Sequence, residues 1–447
     1  MPVERLFKGI VMARVTVKKA GTVSALPASA AQHAPRVLIA SHSHPMVSNG
    51  GAEIAAFELF KALGVDHEAW FLGCQRDTKN HKAGATISQP FSDREYMYSP
   101  GAFDWFKFAN QDPKFPAAFR ELLLKLKPDV VHFHHYLNFG VEAFLHVRET
   151  LPDARIVLTL HEYLAICHHY GQMVTRERHA LCYEATLSRC AKCFTDIAPT
   201  DFFLRKRYIE RFFDVVDQFV APSAFLAQRY VDWGLPRDKI TVLDNVMAPQ
   251  AVSSPSTAKA LPIKAMPIKD APLRVGFFGQ ISVLKGINVL FDAAAMLAER
   301  KNHQIVFEIY GDYSGQPPEF QKDFLERLER AGRNVKFHGP YERERVDALM
   351  QAVDVVLVPS VWWENSPVVI QEALRNQKPI ICSDIGGMAE KVRDGVDGFH
   401  FPVGNAVSLT ARLKHVLAHP EALLVPSAES TKGAAVADYR ALYGAMP

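Results

Sequence analysis

"LRVGFFGQISVLKGINVLFDAAAMLAER", residues 273–300, runs from an almost unbroken apolar stretch through a glycine and a short polar turn into apolar residues at helical spacing. Strand, glycine turn, helix is the unit from which doubly wound α/β domains are built. The same order occurs near the start of the chain, where "RVLIASH" (36–42) leads through "SNGGAE" (48–53) into "IAAFELFKAL" (54–63). Further apolar runs of strand length lie at 129–135, 155–161, 218–223, 305–311, 335–339, 354–360 and 379–384, with helical patterns separating them. Strands that are apolar throughout predict parallel sheets covered on both faces by helices.

At 447 residues the chain exceeds one comfortable core, which predicts two domains. The stretch "PQAVSSPSTAKALPIKAMPIKDAP" (249–272) is rich in Pro, Ser and Lys and lacks a period, so it reads as a linker. The expected organisation is a disordered tail over 1–35 and a first Rossmann-like domain over 36–248 with a Cys-rich insertion at 165–195. The linker, a second Rossmann-like domain over 273–425 and a terminal helix within 426–447 that returns to the first domain complete it. Two such domains place their sites at the carboxyl ends of the strands, facing each other across a cleft.

With 48% hydrophobic and 22% charged residues the chain reads as soluble and globular, and a net charge of +3 gives no case for a nucleic-acid partner. No apolar run reaches the roughly 18–20 residues of a membrane span. The tail lacks a continuous apolar segment before a small-residue cleavage site, so a cytoplasmic location is expected.

The two glycine turns suit an anion. Gly50 and Gly51 precede a helix whose first amides lack intrahelical partners, and glycine lets a ligand come close to the backbone. Gly279 ends a strand, and Lys285 stands just before the next helix as a point charge suited to phosphate. Neither turn is G-x-G-x-x-G, which argues against a dinucleotide oxidoreductase.

"WWENSPVVIQEAL" (362–374) follows the buried strand "DVVLVPS" (354–360). Ser366 suits the N-cap and Pro367 the first helical position, so Val368 and Val369 would offer free amides toward the cleft. Glu364 lies in the loop before this start, and Glu372 lies inside the helix in an otherwise core-like run. Each carboxylate can accept hydrogen bonds from adjacent hydroxyls of a sugar or a ribose.

Glu364 and Glu372, with seven residues between them, resemble the E-x7-E signature of retaining glycosyltransferases with the two-Rossmann GT-B fold. The chain is similar to the family 4 group that builds bacterial polysaccharides and glycolipids. The resemblance extends through "SNGGAE", "TLHEY", "VAPSAF", "ITVLDNV", "FGQISVLKG", "IYGD", "VKFHGPY", "ENSPVVIQEAL" and "SDIGGMAEKVRDGVDGFHF". It implies that Glu372 holds the ribose of a nucleotide-sugar donor and Glu364 the transferred sugar. Lys285 would neutralise the diphosphate with help from the amides around Val368 and from Gly51. His161 would pack beside the donor sugar, and Gly339 of "GPY" would lie near the base. Gly50, Gly279, Gln280, Asn365, Ser366 and Val369 complete the expected donor-binding set.

One position departs from the pattern. Family members commonly carry Arg where Gln280 stands, and Gln offers phosphate no charged fork. The resemblance further implies front-face attack, with the leaving diphosphate taking the acceptor's proton, and no metal required for catalysis. The acceptor would be a glycan or a lipid-linked sugar. Gln280 also keeps open a catalytically silent scaffold or partner subunit, and a sugar-nucleotide epimerase on the same fold is a third reading.

Cys167, Cys182, Cys190 and Cys193 cluster after His161, and the last two form C-x-x-C, a spacing suited to a structural zinc. Disulfides and free thiols are the alternatives. His132 and His134 in "HFHHY" share a strand face without a neighbouring carboxylate, which favours packing beside the acceptor cleft over a metal. "FFLRKRYIERFF" (202–213) mixes basic and aromatic residues at helical spacing. It would either dock on an anionic membrane, at the inner face of the cell membrane, or pack on the core with a solvated basic face.

Overall fold

The computed structural model describes residues 35–48, 50–76, 84–246, 272–299, 304–420, 426 and 436–444. The expected tail at 1–35 lies outside these residues except for Pro35, and the expected linker except for Pro272.

The chain forms strands β1 (Val37–Ala40), β2 (Ala69–Cys74), β3 (Ile87–Ser88), β4 (Glu95–Tyr98), the hairpin β5 (Phe103–Asp104) and β6 (Ala109–Asn110), β7 (Val130–Phe133), β8 (Arg155–Thr159), β9 (Gln218–Ala221) and β10 (Ile240–Val242). After position 272 come β11 (Leu273–Phe278), β12 (Ile305–Tyr310), β13 (Val335–Gly339), β14 (Val355–Val358), β15 (Ile380–Ser383) and β16 (Gly398–Phe401). The first sheet has the order β10-β9-β8-β7-β1-β2-β4-β3 and is parallel apart from the β3–β4 pair. The second, β13-β12-β11-β14-β15-β16, is parallel throughout. The strand order reverses between β1 and β7 in the first sheet and between β11 and β14 in the second. At such points the helices leave on opposite faces and a crevice opens beyond the strand ends.

β1 shows why the sheet is apolar on both sides. Leu38 and Ala40 join a core with Phe119 and Phe133, while Val37 and Ile39 join another with Ala56 and Leu59. Each fully buried aliphatic side chain of this kind contributes about 1.5–3 kcal/mol. The helix Val436–Gly444 packs on the second of these faces, with Tyr439 and Tyr443 buried beside Val37 and Ile39. Its ties to the first domain are a Tyr443 hydroxyl 2.7 Å from His132 Nδ1 and an Arg440–Asp66 ion pair at 2.8 Å.

Strands β2 to β6, β10 and β16 escaped the pattern reading. "AWFLGC" of β2 is poor in β-branched residues, and "GFHF" of β16 begins on a glycine, so each is settled by its neighbour: β2 by β1, β16 by β15.

The basic helix is Pro199–Phe213. Arg205 is not on its wet face: it is 3% exposed and donates to the carbonyls of Phe106, Leu164 and Ala165 at 2.7, 2.5 and 2.7 Å. An arginine fork suits three convergent carbonyls, so this residue is structural. Phe203, Leu204 and Arg207 are exposed. Among the described residues, no helix is long and apolar enough to cross a membrane.

Candidate active site

The cleft between the sheets has a volume of about 920 Å³, at the upper end of the range for small-molecule sites. Its walls are loops and helix starts that follow β1, β8, β9 and β10 of the first sheet and β11, β12, β13 and β14 of the second.

From the second domain, "FGQISVLKG" carries Lys285 into the cleft. Gly286, at φ +78°, makes this turn possible: a Cβ there would stand 1.9 Å from the Pro359 carbonyl oxygen. Lys285 Nζ lies 2.6 Å from Glu364 Oε1, and the same oxygen accepts from Ser360 Oγ at 2.8 Å and Trp362 Nε1 at 2.9 Å. All three bonds fall on one oxygen of a carboxylate that is 6% exposed. Gln280 lines the cleft beside Lys285 and is exposed.

The helix after this loop is Val368–Arg375, and Pro367 rather than Ser366 is its N-cap. Ser366 Oγ instead donates across the cleft to Asp244 Oδ1 at 2.7 Å, so its hydroxyl ties the domains together and leaves the helix start without a side-chain cap. Val368 and Val369 line the cleft. Opposite stands the N-terminus of helix Gly51–Leu63, where a Cβ on Gly51 would sit 3.4 Å from Val368 Cγ2. Two helix starts therefore converge, each with a positive dipole end suited to an anion.

Glu372 lines the cleft one turn further on and is 8% exposed. Burial raises its carboxyl to about 7, partly offset by the Arg375 and Arg343 cations. Tyr341 and Arg343 line this end of the cleft, whereas Gly339 lies off its wall. Arg343 is paired at 3.0 Å with Glu58 of the first domain.

The first domain supplies His161, whose Nε2 lies 3.0 Å from His134 Nδ1. Burial, with neighbouring histidines, lowers His161 to about 3, so the ring is neutral. Its carbonyl oxygen accepts from Asn365 Nδ2 at 2.5 Å. His132 is engaged behind this wall by Tyr443 and Thr159, each at 2.7 Å, and is no ligand to a metal. The motif reading missed His42, Glu53, Glu162 and Asn245, which also line the cleft. Their signal was position: His42 ends "RVLIASH" and Glu162 follows His161, so both sit just past a strand end. Glu53 folds back beneath Gly50, where a Cβ would stand 2.3 Å from its Oε2. It pairs with His42 at 3.4 Å and accepts from Ser48 Oγ at 2.9 Å. Burial opposes its ionisation, yet these bonds hold its carboxyl down at about 2.

Cys167, Cys182, Cys190 and Cys193 are free thiols. Cys182 Sγ donates to the Glu184 carbonyl, and Cys193 Sγ accepts from the Arg176 amide, both at 3.4 Å. Among the described residues no group of three or more His, Cys, Asp or Glu is placed to hold a metal ion, although Cys190 lies within electrostatic reach of Cys167, Cys182 and Cys193.

Comparison with known proteins agrees with this geometry. The family model "Glycosyltransferase Family 4" matches residues 49–249, and "Glycosyl transferases group 1" matches 262–432. A D-inositol 3-phosphate glycosyltransferase of Corynebacterium urealyticum is 37% identical over 28% of this chain and 30% of its own length. A lipopolysaccharide 1,2-N-acetylglucosaminetransferase of Salmonella typhimurium is 26% identical over 41% and 48%. The chain thus spans between about a third and a half of the length of these curated relatives. Among solved structures, Anabaena HepE in complex with UDP superposes with a TM-score of 0.61 at 16% identity, over 91% of this chain and 98% of that one. Sucrose-phosphate synthase of Thermosynechococcus elongatus gives 0.62 at 18% identity, over 89% and 93%. The fold is GT-B, and the chain belongs to the family 4 glycosyltransferases.

Proposed function

We propose that this protein transfers a sugar, with retention, from a nucleotide-diphosphate-sugar donor to a glycan or lipid-linked acceptor, in the making of a surface polysaccharide or glycolipid. The observation that carries the reading is the Lys285–Glu364 contact of 2.6 Å beside two converging helix starts. Cleavage of a glycosyl–phosphate bond builds negative charge on the leaving diphosphate, and a cation with two sets of helix-start amides stabilises it. Glu364 would exchange Lys285 for the hydroxyls of the transferred sugar, and Glu372 would take the ribose diol. Attack from the leaving-group face needs no enzymic nucleophile, with the diphosphate accepting the acceptor's proton. Support for nucleotide sugars comes from structural neighbours solved with UDP and UDP-glucose, and for envelope glycans from the lipopolysaccharide transferase.

Thermal-shift screening of the full chain against UDP-, GDP-, ADP- and dTDP-sugars identifies the donor, and its hydrolysis then reports the chemistry. Glu364→Ala abolishing hydrolysis is the expected result; a donor bound but hydrolysed equally by both proteins would sink the reading. Retention is read from the anomer of the product by NMR. The exposed Gln280, where the family commonly has Arg, favours a second reading as a silent partner subunit, for which no donor would be hydrolysed at all.

A lipid-linked acceptor fits the exposed Phe203, Leu204 and Arg207 on helix Pro199–Phe213, which together suit an anionic membrane surface. Liposome flotation of Lys206→Glu/Arg207→Glu, leaving the buried Arg205 intact, tests that contact.

A further inference from the structure

Away from the helix start at Gly51, the first-domain wall of the cleft presents hydrogen-bond acceptors. Its described lining contains no Lys or Arg; both cations of the cleft, Lys285 and Arg343, come from the second domain and are paired with Glu364 and Glu58. Facing them are the carboxylates of Glu53 and Glu162. Glu53 is tied to His42 and Ser48, while Glu162 bonds to His135 and keeps 31% of its side chain exposed. His42 and His135 meet edge to face with ring centroids 4.5 Å apart, so the two His–Glu pairs form one continuous patch.

Two buried amide oxygens on the lining have no partner among the described residues. Asn365 Oδ1 is one, and its identity as oxygen is fixed because Nδ2 of the same amide donates to the His161 carbonyl. Asn245 Oδ1 is another. Asn245 and Asn365 are 5% and 8% exposed, so water reaches them poorly and each oxygen calls for a donor from a ligand. A hydroxyl supplies a donor, whereas a phosphate or carboxylate oxygen supplies none and would meet Glu162 at like charge.

We infer that the acceptor is an uncharged polyhydroxylated group, the neutral sugar end of a glycan, and that a phosphate beside the reacting hydroxyl is excluded by Glu162 and Asn245 on the first-domain wall. This rests on the transferase reading above. The group that receives the sugar then lies at a distance from any anionic part of the acceptor, which stays outside the cleft.

The test uses the purified full chain and the donor found by thermal shift. Methyl glucoside, methyl galactoside and methyl N-acetylglucosaminide are compared with the 6-phosphates of the first two and with myo-inositol 1-phosphate. Transfer is scored by kcat/KM, and compounds that do not turn over are scored by NMR titration against protein loaded with the matching nucleoside diphosphate. The expected result is a preference of about 100-fold for neutral acceptors, from like-charge repulsion and unpaired acceptor atoms together. Glu162→Lys should narrow it at least about tenfold, equivalent to one pK unit of interaction. The inference is overturned if phosphorylated compounds react or bind as well as neutral ones, if the preference is unchanged in Glu162→Lys, or if no neutral glycoside binds to protein that hydrolyses the donor. Wild-type protein that neither binds nor hydrolyses any nucleotide sugar refutes the transferase reading itself, a separate and recognisable outcome.

Discussion

Lys285 Nζ and Glu364 Oε1 stand 2.6 Å apart, so the cation suited to the diphosphate and the carboxylate suited to the sugar neutralise each other before any ligand arrives. Glu364 is nearly buried and Lys285 a third exposed, which lets the lysine swing toward a phosphate while the acid stays held by Ser360 and Trp362. Lys285→Ala should lower kcat about 10²–10³-fold, the cost typical of removing one preorganised charge from a transition state. Lys285→Arg should recover little, because its planar fork cannot replace a point charge in this turn. Steady-state kinetics with the identified donor decide; a kcat within threefold of wild type for Lys285→Ala would remove the lysine from the mechanism.

On the proposed reading, Glu372 should make donor binding pH-dependent. Its carboxyl, raised to about 7 by burial, must lose a proton to accept two bonds from a ribose diol at full strength. Affinity for the nucleoside diphosphate should therefore rise with pH up to about 7, by at most about tenfold per pH unit, and level off above. Glu372→Gln should flatten this profile, measured by calorimetry between pH 5.5 and 8. The same raised value has a consequence for folding. The native state holds this proton more tightly than the unfolded chain, so the group's contribution falls as pH rises from the ordinary 4.5 toward 7.

Arg343 and Glu58 bridge the domains at 3.0 Å, as do Lys391 and Asp244 at 2.7 Å, and Glu390 receives the amides of Ala224 and Phe225 at 2.8 and 2.9 Å. These contacts tie the two domains together beside the cleft. Glu390→Ala with Asp244→Ala should open it, seen as a larger radius of gyration in small-angle scattering and a several-fold higher KM for donor. An unchanged radius in the double variant would show that the domains stay closed without these ties.

Gly50 and Arg205 are structural positions with opposite chemistry. Gly50→Ala drives a methyl into the Glu53 carboxylate, so Glu53 must leave His42, and the His42 imidazole, raised by the carboxylates of Glu53 and Glu162 against the effect of burial, should titrate lower by NMR. Arg205→Met strands three carbonyls in the core and should cost about 3 kcal/mol or more in urea unfolding. Its loss should not change liposome flotation.

The sequence by itself determined the two parallel-sheet domains, because apolar strands, glycine turns and helical periods are local patterns. It also marked Lys285, Glu364 and Glu372, since each is fixed by its place at a strand end or on a helix. The tertiary structure decided what no local pattern encodes. Ser366 left its capping role because Asp244, more than a hundred residues away, offered its hydroxyl a partner. Arg205 went into the core because three carbonyls from other segments converged there. His42, Glu53, Glu162 and Asn245 became one wall only when the carboxyl ends of β1, β8 and β10, distant in the chain, were set side by side in one parallel sheet. Short-range order follows from residue type, while the site follows from which strand ends the sheet brings together.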